Sequence, residues 1–236
     1  MFFPNLMHIN KSYLVLEVGP GGYPHWRSDC LLDKWDQSSE SDVNTSQFGG
    51  TAQVTKGKPL FITKDGIFPF KDKRFDYVIC SQVLEHVPVC DLPLFISEIN
   101  RVSSRCYIEI PTFLYDYMYD FEVHVNLMDI VNGEIICLDK STTSLHSVNR
   151  FTQHLLQKRI EGVFPVEMVN KSLFITGKEF SGNIPLRIVE SEEKFFEIIR
   201  GKRENTPSPS FFWLARNKIN QTLRKYKKEK PVSFFG

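Results

Sequence analysis

The sequence predicts an α/β protein built on a parallel sheet, and three observations carry that reading. An apolar run, Leu14-Val15-Leu16-Glu17-Val18, breaks abruptly into Gly19-Pro20-Gly21-Gly22. A second run, Phe75-Asp76-Tyr77-Val78-Ile79-Cys80, is nearly as apolar. Between it and a third, Cys106-Tyr107-Ile108-Glu109-Ile110, the apolar positions Leu94, Phe95, Ile96, Ile99 and Val102 recur at helical spacing. Near-continuous apolar runs mark strands buried on both faces, and an intervening helix is what a parallel crossover needs.

Taken in order, the first strand spans 13–18. Glycines at its carboxyl end let the chain turn sharply and approach a ligand that a Cβ would exclude. In open α/β sheets that edge is where nucleotide-like ligands bind. A dinucleotide fingerprint would need glycine at position 24, where Pro24 stands, and no Gly-Lys-Ser/Thr follows to make a P-loop. The second strand, 28–33, ends in Asp33, with Asp29 as the alternative acid if the strand frame slips. Only 19–27 separate the two strands, too short for the usual crossover helix, so the first crossover is abbreviated. Residues 37–59 are polar and rich in Ser, Thr and Gly, and read as a mobile loop or weak helix near the ligand edge. The third strand, 60–63, stops at Lys64-Asp65-Gly66. The fourth covers 75–80, and 83–87 opens a helix or turn. A helix over 92–102 leads to the fifth strand, 106–110, closed by Pro111. Further on, 134–138 and 172–177 read as strands with a helix over 151–160 between them.

Two motifs carry a family resemblance. Glu17-Val18-Gly19-Pro20-Gly21 has the acid-x-Gly-x-Gly form. Phe68-Pro69-Phe70, then Phe75-Asp76-Tyr77-Val78-Ile79 and Val83-Leu84-Glu85-His86-Val87, follow in order. Together they resemble the first motif and the fourth-strand block of the class I S-adenosylmethionine (SAM)-dependent methyltransferases, of the type 11-like group. The resemblance covers roughly 13–111. It implies a doubly wound, Rossmann-like methyltransferase sheet of about seven strands, the last antiparallel, with right-handed connections. It also implies SAM as cofactor and methyl transfer as the activity. A non-catalytic SAM-binding or scaffolding relative is the alternative.

Site roles follow from the resemblance, residue by residue. Glu17, Gly19, Pro20 and Gly21 form the turn under the amino-acid moiety, with Glu17 toward its amino group or capping loop N–H groups. Asp33 accepts from the ribose hydroxyls, Asp65 lies near the adenine amino group, and Ser81 with Gln82 closes the pocket floor. SAM carries its own reactive sulfonium, so the protein mostly supplies positioning and electrostatics. On the acceptor side, a histidine suits proton abstraction from a hydroxyl. His86 and His124 are the catalytic candidates, with His146 and His154 also in the variable part. Glu85 and His86 have an equally good structural reading. The aromatics Phe113, Tyr115, Tyr117, Tyr119 and Phe121 read as a pocket wall or a half-buried edge strand. Some quinone-pathway O-methyltransferases, which the block resembles, bind magnesium through acids in an E-x-L-E-H run. Gln82 replaces the first acid here, so no metal is expected.

Charge divides the chain. Residues 201–236 carry nine basic and two acidic side chains, net +7, leaving a body of net −6 within a total of +1. The expected organisation is a methyltransferase domain over 1–200 and a basic, helical C-terminal extension over 201–236. Ser210-Phe211-Phe212-Trp213-Leu214, followed by Ile219, Leu223 and Tyr226 amid Lys and Arg, reads as a helix docked on the domain by its aromatic face, or as a basic amphipathic helix lying on an anionic membrane or a nucleic-acid backbone. The expected acceptor is a hydroxyl of a small molecule or glycan. Nucleic acid is not the expected partner, because no Asn-Pro-Pro-Tyr-type motif follows the fourth strand. Five scattered cysteines without C-x-x-C spacing read as reduced thiols, and a cytoplasmic location is expected.

Overall fold

The computed structural model describes residues 6–21, 24–34, 57–63, 65–145 and 174–200. Most of the expected loop at 37–59, the helix at 151–160, His146, His154 and the extension from 201 onward lie outside the described residues.

Six strands form the main sheet: β1 (Val15–Val18), β2 (Cys30–Asp33), β3 (Leu60–Ile62), β4 (Tyr77–Ser81), β5 (Arg105–Pro111) and β8 (Ile175–Ser181). Their order is β3-β2-β1-β4-β5-β8, parallel throughout except that β8 runs antiparallel to β5. The chain winds outward from β1 on one side through β2 and β3, then crosses back to β4. The point of reversal therefore lies between β1 and β4, where open α/β sheets form a crevice at their carboxyl edge. The doubly wound expectation holds, with six strands in this sheet among the described residues where about seven were expected.

β1 and β2 are buried along their whole length, which is why their sequences are continuously apolar. The connection between them contains turns and no helix among its described residues. The N-terminal segment supplies part of the missing cover. Leu6, Met7, Ile9 and Tyr13 pack against Val15, Tyr77, Ile79 and Tyr107 on one face of the sheet. His8 pins that segment by donating its backbone N–H to Glu179 Oε1 at 2.9 Å, while Tyr77 donates its hydroxyl to the same oxygen at 2.7 Å.

On the opposite face lies α1 (Leu92–Val102), which buries Leu92, Ile96, Ile99 and Val102. Buried Glu98 on α1 accepts the Phe68 backbone N–H at 2.7 Å, and Arg101 donates to the Phe68 carbonyl at 2.9 Å. Phe68, Phe70 and Phe75 stack edge-on with Phe95 or with one another. The Phe-Pro-Phe lead-in is thus the seat of α1.

A second sheet was only partly legible. β6 (Asn126–Val131) and β7 (Glu134–Asp139) form an antiparallel hairpin, and β9 (Leu186–Val189) adds parallel to β7. Met128, Ile130, Ile135 and Cys137 point to the main core. Leu127, Val131, Ile136 and Leu138 point the other way, to Phe195 of α3 (Glu192–Arg200). The hairpin turn is Asn132-Gly133 with φ of 51° and 84°. Asn-Gly is the pair that tolerates two positive φ values in a tight turn, so a usable signal stood in the sequence.

Two expectations need correction. The aromatic segment is not an edge strand: α2 spans Phe113–Tyr119 and stops at Asp120, φ 43°. Alternating aromatics mimic a two-residue period, but Phe113 and Tyr117 meet four residues apart and Asp116 turns inward. The strand expected at 172–177 lies at Ile175–Ser181, where Glu179, a charge that argued against a strand, is held by the Tyr77 hydroxyl and the His8 N–H. The five cysteines are free, and all but Cys90 are buried. Burial pushes the Cys106 thiol up to about 12, which leaves it unreactive. No helix of the described residues is long and apolar enough to cross a membrane.

Candidate functional site

Register fixes which residues share the carboxyl edge. Val18 lies opposite Leu32 and Cys80, and Ser81 opposite Glu109. One step further along, Gly19, Asp33, Ser81 and Glu109 fall on one row. Gly19 takes φ of 63° and donates its N–H to the Leu32 carbonyl at 2.8 Å, so the turn is stitched to the strand that ends in Asp33. A Cβ at Gly19 would collide with Val83 Cγ2. Both requirements, a left-handed backbone and a close neighbour, single out glycine. Gly21 also has positive φ, 53°, and Pro20 between them is buried.

Asp33 is 5 % exposed and receives the Lys34 N–H at 2.7 Å. Asp29, the alternative acid, sits at the other end of β2 and accepts the Val15 N–H at 2.8 Å, so it closes the opposite edge. Asp65 is exposed in the turn after β3. Ser81 donates to Glu109 Oε1 at 3.0 Å. Gln82 has φ of 58°, donates its backbone N–H to the Glu109 carbonyl at 2.8 Å, and buries its Nε2 with no partner. An unpaired buried donor beside the glycine turn is the kind of group a ligand's acceptor would satisfy.

Glu17 has a local task. Its Oε2 accepts the His25 N–H at 2.8 Å and the Ser28 hydroxyl at 2.7 Å, closing the short crossover. Burial raises its pKa, opposed by these hydrogen bonds and by Lys58. Of the two readings held for Glu17, this geometry is that of a loop cap. His25, Ser28 and Lys58 had no sequence signal as its partners.

Beyond β4, a 3-10 turn, Leu84–His86, sets Glu85 and His86 back to back with the hairpin. Asn126 holds the turn by donating Nδ2 to the Leu84 and Val87 carbonyls at 3.2 and 2.6 Å. Val125 donates its N–H to the Glu85 carbonyl at 2.8 Å. These contacts bring His124 beside His86, with ring centroids 4.9 Å apart. The two expected catalytic histidines are therefore neighbours.

Each imidazole is oriented through Nδ1. His86 Nδ1 lies 2.8 Å from the Val123 carbonyl, which can only accept, so Nδ1 carries the proton. His124 Nδ1 lies 2.9 Å from Asp116 Oδ1. Burial, and secondarily His124, lowers the His86 pKa to about 4, so His86 is neutral at pH 7. Buried Lys140 pairs with Asp120 at 2.7 Å and lies 3.7 Å from Asp116. Asp116, Lys140 and Glu109 escaped sequence reading, because nothing local marks an inward-facing charge.

Residues 36–105 match the family model described as a methyltransferase domain. The match starts after the glycine turn and takes in the Phe68–Val87 block. That match, the strand order and the glycine turn agree with the resemblance to SAM-dependent methyltransferases drawn from the sequence. No curated protein matches. Among solved structures, the PH0226 protein of Pyrococcus horikoshii OT3 is similar at 12 % identity and TM-score 0.38, covering 72 % of this chain and 82 % of its own. A SAM-dependent methyltransferase of Methanosarcina mazei is 14 % identical, TM-score 0.34, with 56 % and 73 % covered. A Bacillus halodurans C-125 protein, described provisionally as a methyltransferase, is 18 % identical with TM-score 0.30. The match covers 44 % of this chain and spans about half, 47 %, of that relative's length. At such scores the fold rests on strand order and register rather than on these neighbours.

Proposed function

We propose that this chain transfers a methyl group from SAM to a hydroxyl of a small molecule or glycan. The observation that carries the reading is the shared row at the switch point: a bare glycine turn, the Asp33 carboxylate and the Ser81-Gln82 bend, side by side. Asp33 accepts from the ribose hydroxyls, and the unpaired Gln82 Nε2 donates into the same crevice. SAM held there would supply an electrophilic methyl group, and the acceptor hydroxyl that took it would pass its proton to an imidazole Nε2 or to solvent water. His86 and His124 stand on the acceptor side, with Nε2 of each left as a lone pair.

Calorimetric titration with SAM and S-adenosylhomocysteine tests the proposal. Saturable binding, weakened roughly tenfold or more by Asp33→Ala through loss of charged hydrogen bonds, is the expected result. Absence of binding to either ligand overturns it. Binding without methyl release to any hydroxylated acceptor favours the scaffolding relative.

The +7 charge of 201–236 supports peripheral contact with anionic lipid, in a chain we place in the cytoplasm. Full-length protein is expected to co-sediment with phosphatidylserine vesicles more than a chain ending at Glu204 does. Equal sedimentation removes that part of the reading.

A further inference from the structure

We propose that Glu85, His86 and His124 form a binding site for a divalent transition-metal ion, with zinc preferred. One donor atom of each lies within 4.8 Å of the other two. Glu85 Oε1 is 3.9 Å from His86 Nε2. A small inward shift brings such atoms to the separations that metal–ligand bonds of about 2.0–2.2 Å require.

Three features distinguish this cluster from incidental crowding. First, Glu85 is 0 % exposed and neither carboxylate oxygen has a hydrogen-bond partner. A buried, unpaired carboxylate is costly, and a cation is the usual remedy. Second, both imidazoles use Nδ1 for a carbonyl or carboxylate, which leaves Nε2 as the open lone pair on each. That hydrogen bond from the far ring nitrogen, above all the Asp116–His124 pair, is how metal-binding histidines are oriented and made more basic. Third, the surroundings are rich in acid. Asp116, 2.9 Å from His124 Nδ1, is fully buried with Oδ2 unpartnered. Lys140 is turned to Asp116, Asp120 and the Phe121 carbonyl.

Donor chemistry selects the ion. Two imidazoles and one carboxylate suit zinc and its first-row neighbours, whereas magnesium favours oxygen donors and keeps its waters. Three protein ligands leave a fourth position for an oxygen, from water or from another molecule. In this arrangement His86 and His124 are ligands, and a nitrogen that holds the ion does not also take a proton. The sequence pointed away from a metal because Gln82 replaces an acid. It could not show that His124, from the far side of α2, completes a different set.

The inference stands apart from methyl transfer and can be tested without SAM. Full-length protein, stripped with chelator, is titrated with Zn²⁺, Co²⁺ and Mg²⁺ alone. We expect one zinc per chain, a rise in Tm, intense visible Co²⁺ bands of low-coordinate nitrogen ligation, and no comparable response to Mg²⁺. Asp116→Asn weakens zinc roughly 10–100-fold, and Glu85→Gln and His124→Gln weaken it more. His8→Ala, at an exposed histidine elsewhere, leaves affinity unchanged. Zinc affinity equal in wild type, Glu85→Gln and His124→Gln overturns the proposal. Should those variants fail to fold, wild-type Co²⁺ with the pale spectrum of the hydrated ion overturns it alone.

Discussion

At Gly19 the backbone is left-handed and the space for a side chain is already taken by Val83. Gly19→Ala is therefore expected to cost about 1–3 kcal/mol in stability and to abolish SAM binding, read by urea unfolding and calorimetry. His25 makes a second residue-scale prediction. Burial first, then the charges of Lys58 and Arg27, lowers its pKa to about 4 from 6.5. Between those values the unfolded chain binds the proton more readily than the folded one, so stability rises with pH across that window. The His25 contribution is complete above pH 6.5 and is lost as pH falls toward 4, up to about 3 kcal/mol. His25→Asn retains an acceptor for the Arg27 N–H and removes the titration. Its unfolding free energy is expected to depend less on pH between 4 and 6.5 than that of wild type. Residues such as Gly19 and Asp33 were legible because their signal is local: a glycine after a strand, an acid at a strand end. Glu85 and Asp116 were not, because burial of a charge is decided by partners brought from elsewhere.

Among elements, the 3-10 turn after β4 depends most on a single side chain. Asn126 opens β6 and holds the Leu84 and Val87 carbonyls. Asn126→Ala removes both donations inside the core and is expected to destabilise the protein by about 1–3 kcal/mol, measured by urea unfolding. It also frees the turn that carries Glu85 and His86, so zinc affinity is expected to fall with it. Elements with a strong period were read well from sequence. α1 was placed at its observed bounds because Ile96, Ile99 and Val102 share one buried face. α2 was misread because its aromatics alternate while its inward residue is an acid. β9 gave little signal, since Arg187 and Ile188 are exposed in a short edge strand.

For the molecule as a whole, the first half of the described chain supplies the proposed cofactor edge and His86, and the segment after β5 supplies His124. That division explains why a family resemblance reached only to Pro111. The two halves nevertheless share one core, since Met128, Ile130, Ile135 and Cys137 of the second sheet pack with Val18, Val78 and Ile108 of the first. β8 adds to this union. It lies in sequence between β7 and β9, partners in the small sheet, yet is itself zipped to β5 in the large one. Like a stitch passed through two layers of cloth, it denies either sheet a private melting event. Loosening the small sheet is therefore expected to weaken the β5–β8 pairing as well, and with it the hold on the Glu109 side chain beneath Ser81.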